Sequence, residues 1–558
     1  MSTPTATPRT AAQVLVDGLI ANGVDTVFGV PGESYLSVLD ALHDTDIRFV
    51  NCRQEGGASM MAAAHGRLTG QPGICMVTRG PGATNASSGV HVAFQDSLPM
   101  ILFIGQVARD QADREAFQEI DYRRMYGQMA KWVAQIDDPS RVAEYVSRAF
   151  HTAISGRPGP VVLALPEDML REAVQAIALP KARPARSAPT PDALAELGER
   201  LARAERPFLL IGGSGWTAEA CDHIRQFAEA NSLPVGVSFR CQDLFDNEHP
   251  HYAGHVGIGI DPVLGETLTS SDLLLVVGAR LGEMTTSSYE LLVPPALPQT
   301  LIHIHADPEE LGSVYQPDLP IAADMVSAAA ALAGLGSVRS GTDPRVAAAH
   351  DRFLAFTTPA GSTAALDMGA VVRHVRDNTP ADTVICNGAG NYAIWVHRYF
   401  RYRQLGTQLA PTNGAMGFGP PAAVAAAITQ PEKLSIAFSG DGCLMMTVQE
   451  LATAVQYGAK MIEIVVNNGI YGTIRMHQER RYPGRVSGTT MGQTTDFAAL
   501  ARAFGGHGEV VERTEDFPAA FARALACDGL ALIELRVDPD ILSPSATVSG
   551  LRKAAGQA

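Results

Sequence analysis

At 558 residues, with 46% hydrophobic and 18% charged residues, the chain is long enough for three or four domains with ample core. Its formal net charge of −15 argues against non-specific nucleic-acid binding, which needs a basic face, and obliges any anion site to concentrate its own Arg or Lys. No apolar run approaches a membrane span, the first ten residues are polar and proline-rich, and the seven cysteines form no CxxC pair, so a cytoplasmic protein with reduced thiols is expected.

The first region spans 11–180. Helix-period apolar residues Val14, Leu15, Leu19 and Ile20 precede an apolar strand at 26–29 that ends in a turn at Pro31 and Gly32. A second strand, 49–52, delivers Glu55 to the start of an Ala/Met-rich helix, and a third, 74–78, leads to Gly80, Pro81 and Gly82, then a helix, then a strand at 100–104. Alternation of this kind predicts a parallel sheet with helices on both faces.

A Pro/Ala/Arg linker at 180–191 separates a central region, 192–335, with apolar runs at 208–211, 273–277 and 301–304. The turn holding Gly212, Gly213 and Gly215 departs from G-x-G-x-x-G, so a tight strand–helix turn is the simpler reading and a nucleotide loop the alternative. A second linker, 336–361, carries one short helical piece, and the last domain covers 365–540.

That domain holds the most informative stretch. A buried strand at 434–438 runs into Gly440, Asp441 and Gly442. Leu444, Val448, Leu451, Ala452 and Val455 then recur at helical period, and a strand at 461–466 delivers Asn467 and Asn468. A carboxylate and a carboxamide thus emerge at the carboxyl ends of successive strands, where such folds bind ligands. Oxygen donors of this kind suit Mg²⁺ on a phosphate: Asp441, the Asn468 side chain and a backbone carbonyl near Ile470. Gly442 would let a diphosphate approach the amides at the start of the following helix. Strand, Gly-x-Gly, helix and strand also occur at an offset of 360 residues (440 − 80), with Ile101 and Ile104 falling on Met461 and Ile464. Either the domain is duplicated, with Pro81 where the other copy keeps Asp441, or two independent units share a pattern.

These segments resemble the thiamine-diphosphate enzymes, and within them the acetolactate synthases, over about 11–550. The resemblance implies an α/β fold of three doubly wound parallel-sheet domains: pyrimidine-binding, middle and diphosphate-binding. It implies thiamine diphosphate and Mg²⁺ as cofactors and a 2-oxo acid such as pyruvate as substrate. In that family a glutamate hydrogen-bonds the pyrimidine ring and turns its amino group into the base that takes the thiazolium proton; Glu55, before Gly56, Gly57 and Ala58, matches it. Asn413, Gly414, Ala415, Met416, Gly417 and Phe418 resemble the segment whose Met wedges the cofactor and whose Gly carbonyl accepts from it, implying Met416 and Gly414. Gly390, Asn391 and Tyr392 stand where the family has Gly-Gln-His beside the diphosphate. Pro31, Gly32, Gly80 and Asn85, and Cys443, Tyr471 and Gly472, are likewise placed around cofactor. Ala116, Phe117, Gln118 and Glu119 resemble a segment whose Gln faces the reacting carbon, and Lys131 stands where the group has a substrate-side lysine. A homodimer or homotetramer is implied, its active site at the subunit interface, Glu55 acting on cofactor held by Asp441 of another subunit.

Three departures bear on specificity. The tryptophan that chooses the second keto acid is His477, a polar and titratable group that is either a substrate wall or a plain surface residue. The flavin-holding motif is replaced by Arg280, Leu281, Gly282, Glu283 and Met284, which argues that FAD is weakly held or absent. Gln-His has become Asn391 and Tyr392. The expectation is a carboligase or lyase. Alternatives are a 2-oxo acid decarboxylase, a sulfoacetaldehyde- or hydroxyacyl-type lyase, a flavin oxidase, or a partner that binds cofactor without turnover.

Overall fold

The computed structural model describes residues 9–556 except 176, 178 and 363. Three six-stranded sheets carry the chain, and within each every strand pair is parallel. The first comprises β1 (Thr26–Gly29), β2 (Arg48–Asn51), β3 (Gly73–Val77), β4 (Met100–Gln106), β5 (Trp132–Gln135) and β6 (Pro160–Pro166), in the order β2-β1-β3-β4-β6-β5. The second comprises β7 (Pro207–Ile211), β8 (Val235–Val237), β9 (Tyr252–His255), β10 (Leu273–Val277), β11 (Thr300–His305) and β12 (Leu319–Ala322), in the order β9-β8-β7-β10-β11-β12. The third comprises β13 (Val384–Asn387), β14 (Gln408–Leu409), β15 (Ser435–Gly440), β16 (Met461–Asn467), β17 (His507–Val511) and β18 (Leu530–Arg536), in the order β14-β13-β15-β16-β18-β17. Central strands such as β4 and β16 are buried along their whole length, as parallel strands covered on both faces must be, which is why they read as mainly apolar runs, broken in β16 by Glu463.

The first and third sheets repeat one strand order while the second differs, which favours the duplicated-domain reading over two unrelated units. The gapless offset does not survive in detail. Ile101 pairs with Ile74, whereas Met461 pairs with Ser435, so the register moves by one residue; and Gly440 ends β15 whereas Gly80 lies beyond the end of β3.

Contacts gather the chain into two compact units. One runs to Ala185 and adds Val424–Thr429 and Thr447–Tyr457; the other holds the second and third sheets. In the first, helices α1 (Glu55–Thr69) and α2 (Pro81–Gln95) pack closely because their facing residues are small: a Cβ on Gly89 would lie 2.2 Å from Ser59 Oγ. Helix α3 (Val142–Ile154) lays Val142, Val146, Ala149, Phe150 and Ala153 on the same core as β4 and β6.

The helix-period segment after Asp441 is not one helix. Asp441–Leu444 makes a single turn, α4; residues 445–449 are turn; and Glu450–Gln456 forms α5, burying Glu450, Leu451, Thr453 and Ala454 rather than Val448, Ala452 and Val455. A polar set outcompeted the apolar periodicity, because α5 delivers a carboxylate to the first unit. Two further helices matter below, α6 (Gly472–Arg481) and α7 (Val548–Ala554).

Candidate active site

In the first unit, the turns after β1, β2 and β3 meet at the carboxyl edge of the sheet. Glu55 opens α1, and Gln54 caps that helix by accepting from the N–H groups of Gly56 (2.6 Å) and Gly57 (3.2 Å). The Glu55 carboxylate accepts from the Asn85 amide at 2.9 Å. Gly32 and Gly82 keep the space beside it open: a Cβ on Gly32 would sit 2.4 Å from Thr78 Cβ, and one on Gly82 would sit 2.9 Å from Thr78 Cγ2 and 3.3 Å from Glu55 Oε1. Glu450, fully buried, accepts from the Arg53 N–H with both oxygens (3.2 Å each) and from the Thr453 hydroxyl (2.7 Å), fixing the chain two residues before Glu55. Burial pushes the Glu450 carboxyl up. Gly57 is glycine because a Cβ there would fall 2.5 Å from Glu450 Oε1.

Gln118 sits in a left-handed backbone conformation (φ 66°), as do Asp113 and Glu115 in the same loop, a concentration of strain that folds keep at functional turns. The loop is tied from three sides. Glu119 accepts from the N–H groups of Asp113 (2.7 Å) and Ala116 (3.0 Å), Arg79 Nε donates to the Phe117 carbonyl (3.1 Å), and the Gly80 N–H donates to the Tyr122 hydroxyl (2.9 Å). Arg79 itself is anchored by Glu167 (2.9 Å) and Glu33 (3.3 Å). Gly80 presses against Gln118, whose Cβ would lie 2.7 Å from any side chain there. Lys131 is placed otherwise than expected. Its ammonium donates to the carbonyls of Thr152 (2.6 Å) and Ser155 (2.7 Å) at the C-terminal end of α3, where a cation suits the helix dipole, and that geometry gives no support to a substrate-side role.

The second unit contains a cavity of about 1120 Å³ along the carboxyl edge of the third sheet. It gathers, from distant parts of the sequence, Gly390, Asn391, Tyr392, Gly414, Met416, Gly440, Asp441, Gly442, Cys443, Asn468, Ile470, Tyr471 and Gly472, each expected at cofactor. Asp441 is 6% exposed, and its two oxygens accept from the N–H groups of Gly442 and Gly469, both at 2.8 Å, which stitches the ends of β15 and β16 together. Burial raises its carboxyl to about 6 against those two bonds, with Glu534 adding repulsion. A desolvated carboxylate facing a cavity is held in place here by backbone N–H groups rather than by a side-chain cation. The Asn pair divides its work. Asn467 turns inward, donating to Glu534 (2.9 Å), while Asn468 faces the cavity and accepts from the Ile470 N–H (3.1 Å).

The departures from Gly-Gln-His are accounted for by packing. The Tyr392 hydroxyl donates to Cys443 Sγ (3.2 Å) and accepts from the Gly388 N–H (3.0 Å), and its ring lies over Gly390, where a Cβ would fall 2.7 Å from it, and close to Gly440, where a Cβ would fall 3.1 Å from it. Asn391 accepts from the Thr473 hydroxyl at 2.9 Å, so its polar end is turned to α6 rather than left free for a diphosphate. Arg240, in the turn after β8, donates to the Gly388 carbonyl at 3.1 Å and to the Pro411 carbonyl, tying together the segments that lead to Gly390 and Gly414. Arg280 pairs with Glu310 at 3.0 Å, and Gly213 packs against the Gly278 carbonyl with no room for a Cβ, which favours the tight-turn reading there.

His477 is exposed on α6 and does not line the cavity; Thr473, Ile474 and Arg480 of the same helix do. Sequence reasoning missed those three, the partners Glu450, Glu534 and Arg79, and a wall drawn from residues 538–551. A carboxylate inside the apolar run of β18 is the signal that could have found Glu534.

Protein-family models for thiamine pyrophosphate enzymes match all three regions: the N-terminal TPP binding domain over 9–125, the central domain over 194–332, and the C-terminal TPP binding domain over 388–535. The chain is 32% identical over 542 residues to the acetolactate synthase large subunit of Parasynechococcus marenigrum, covering 94% of this chain and 87% of that one. It is 30% identical over 538 residues to the acetolactate synthase isozyme 2 large subunit of Escherichia coli, covering 94% and 95%. It is 31% identical over 533 residues to the large subunit of Corynebacterium glutamicum, covering 92% and 84%. Among the described residues no helix is long and apolar enough to cross a membrane.

Proposed function

The chain belongs to the thiamine pyrophosphate enzymes, and from that membership we propose that it is a Mg²⁺-assisted carboligase that decarboxylates a 2-oxo acid such as pyruvate and passes the acyl unit to a second carbonyl. When bound, thiamine diphosphate supplies the electron sink that decarboxylation needs. The observation that carries the reading is Asp441: a buried carboxylate, raised to about 6, held between two amide N–H groups at the mouth of a large cavity with Asn468 beside it. Asp441, the Asn468 side-chain oxygen and the Ile470 carbonyl would hold Mg²⁺, which keeps phosphate and water in its remaining positions. Gly440, Gly442 and Gly472 leave the cavity clear for the diphosphate, and Met416, half-buried on the core, would bear on the cofactor's ring.

Glu55 would hold the hydrogen bond to the cofactor's pyrimidine ring that promotes loss of the thiazolium proton. Its carboxylate is oriented by Asn85 and Gln54 caps its helix, so it needs no reorganisation to accept a hydrogen bond. Gln118, presented by a strained loop, faces the reacting carbon. The family's arrangement, in which Glu55 serves cofactor held by Asp441 of another subunit, makes the working form at least a homodimer.

Incubation of the protein with pyruvate, thiamine diphosphate and Mg²⁺, followed by product analysis, tests this. CO₂ release with acetolactate supports the carboligase. Acetaldehyde would make the chain a simple decarboxylase, a second reading favoured by the exposed, polar His477 where a tryptophan chooses the acceptor. No CO₂ from any 2-oxo acid would overturn both.

A further inference from the structure

Helix α6 carries an imbalance of charge that the common chemistry does not use. Residues 472–485 contain Arg475, Arg480, Arg481 and Arg485 against Glu479 alone, four minus one, in a chain whose net charge is −15. The one acid is already taken: Glu479, with no solvent exposure, accepts two bonds from Arg552 of α7 (2.6 and 3.0 Å) and one from the Gly484 N–H (2.8 Å). Arg475 is buried and spends its guanidinium on the hydroxyls of Thr489 and Thr490, both at 2.8 Å. Arg480 and Arg481 are exposed and have no acid on their own helix to answer them.

The helix period places them. At about 100° per residue, Arg475, Met476 and Glu479 share the buried side, while Arg480, Thr473, His477, Arg481 and Ile474 fall within one face of about 120° on the other. Three members of that face, Thr473, Ile474 and Arg480, line the cavity. The Glu479–Arg552 fork and the packing of Met476 on Leu542 and Val548 hold the helix in this rotation. An exposed guanidinium, planar and always charged, is thereby presented at the wall of the cavity. Lys131, the cation expected to meet substrate, is engaged on helix carbonyls instead.

Resting on the reading of this cavity as the carboligase site, we propose that Arg480 binds a second, distal anionic group of the donor substrate, so that the enzyme takes 2-oxo diacids in preference to 2-oxo monoacids. The 2-oxo carboxylate leaves as CO₂; the distal carboxylate remains on Arg480 throughout, anchoring the acyl unit while the acceptor enters. A charge-assisted, bidentate contact of this kind discriminates strongly against the analogue that lacks it, because the guanidinium loses its partner.

The experiment compares 2-oxoglutarate with 2-oxopentanoate, which has the same chain without the distal carboxylate, by CO₂ release from the holoenzyme. Wild-type kcat/KM is expected to favour the diacid. Arg480→Gln should lower the diacid-to-monoacid ratio about tenfold or more, chiefly through KM, and Arg480→Lys should restore part of it. Arg485→Gln, carrying the same loss of charge away from the cavity lining, should leave the ratio as it was. Calorimetric binding of 2-oxoglutarate to the holoprotein gives a readout independent of turnover and should weaken in Arg480→Gln to the same degree. A wild-type preference for the monoacid, or an equal change of ratio in Arg480→Gln and Arg485→Gln, would overturn the proposal. Absence of CO₂ from pyruvate as well as from both probes marks the failure of the carboligase reading instead, and diacid binding that is unchanged by Arg480→Gln then rejects the anion site on its own terms.

Discussion

Three carboxylates, two near strand ends and one inside a strand, show how environment sets a residue's task. Glu55 is half-buried and accepts from Asn85; Asp441 lines a cavity between two backbone N–H groups; Glu463, in the middle of β16, lies in neither setting. Neither oxygen of Glu463 finds a hydrogen-bond partner among the described residues, and burial raises its carboxyl to about 8 from an ordinary 4.5, with the nearby Ser439 hydroxyl pulling only weakly the other way and out of line for a bond. Between those two values the folded chain keeps a proton that the unfolded chain has released. Stability contributed here is therefore present below about pH 5 and is lost as pH rises through about 8. Glu463→Gln, neutral at every pH, should flatten that slope and leave the variant more stable than wild type at pH 8.5 by a few kcal/mol, on the order of what about three pKa units are worth. Thermal denaturation from pH 5 to 8.5 checks it; parallel curves for the two proteins would contradict the assignment.

The loop around Gln118 and helix α6 are each aimed by an ionic brace with one buried partner, Arg79 in the first and Glu479 in the second. Arg79 bridges Glu33 and Glu167 and reaches the Phe117 carbonyl, so the guanidinium fork holds a loop with three left-handed residues in place. Arg79→Ala should speed amide hydrogen exchange across 112–119 and lower turnover, and Arg79→Lys should recover little of either, since one ammonium cannot span the fork. Unchanged exchange in the loop, with only a lower Tm, would reduce Arg79 to a plain stabilising residue. What the sequence showed at this scale follows from what local chemistry encodes. Strand ends, the Gly turns and the Asp441–Asn468 pair were legible because apolar runs and Gly residues mark them directly. The split of the helix after Asp441 was not, because Val448 and Val455 keep the helical period while the tertiary demand for Glu450 beside Arg53 decides the fold. The seat of Lys131 was not legible for a similar reason: its neighbours in sequence say nothing of the α3 carbonyls it caps. Arg79 lies in the very motif that was read, yet its partners Glu33, Phe117 and Glu167 come from three other segments.

At the scale of the molecule, two sheets of one topology bear the two halves of the proposed chemistry, cofactor activation at Glu55 and metal–diphosphate binding at Asp441. If the halves combine across subunits, each inactive variant carries what the other lacks. Mixing Glu55→Gln with Asp441→Ala after subunit exchange should restore about a quarter of wild-type activity, the share of intact sites in randomly mixed C2 dimers. No recovery, with mixed dimers demonstrated by mass, would place both residues in one chain's site. The central claim, that Glu55 drives proton removal from the bound cofactor, is tested most directly by exchange of the thiazolium C2 proton for deuterium in the Mg²⁺-loaded protein without substrate. Wild type should exchange faster than Glu55→Gln by about two orders of magnitude or more, at matched cofactor occupancy. Equal rates in the two proteins would contradict the account.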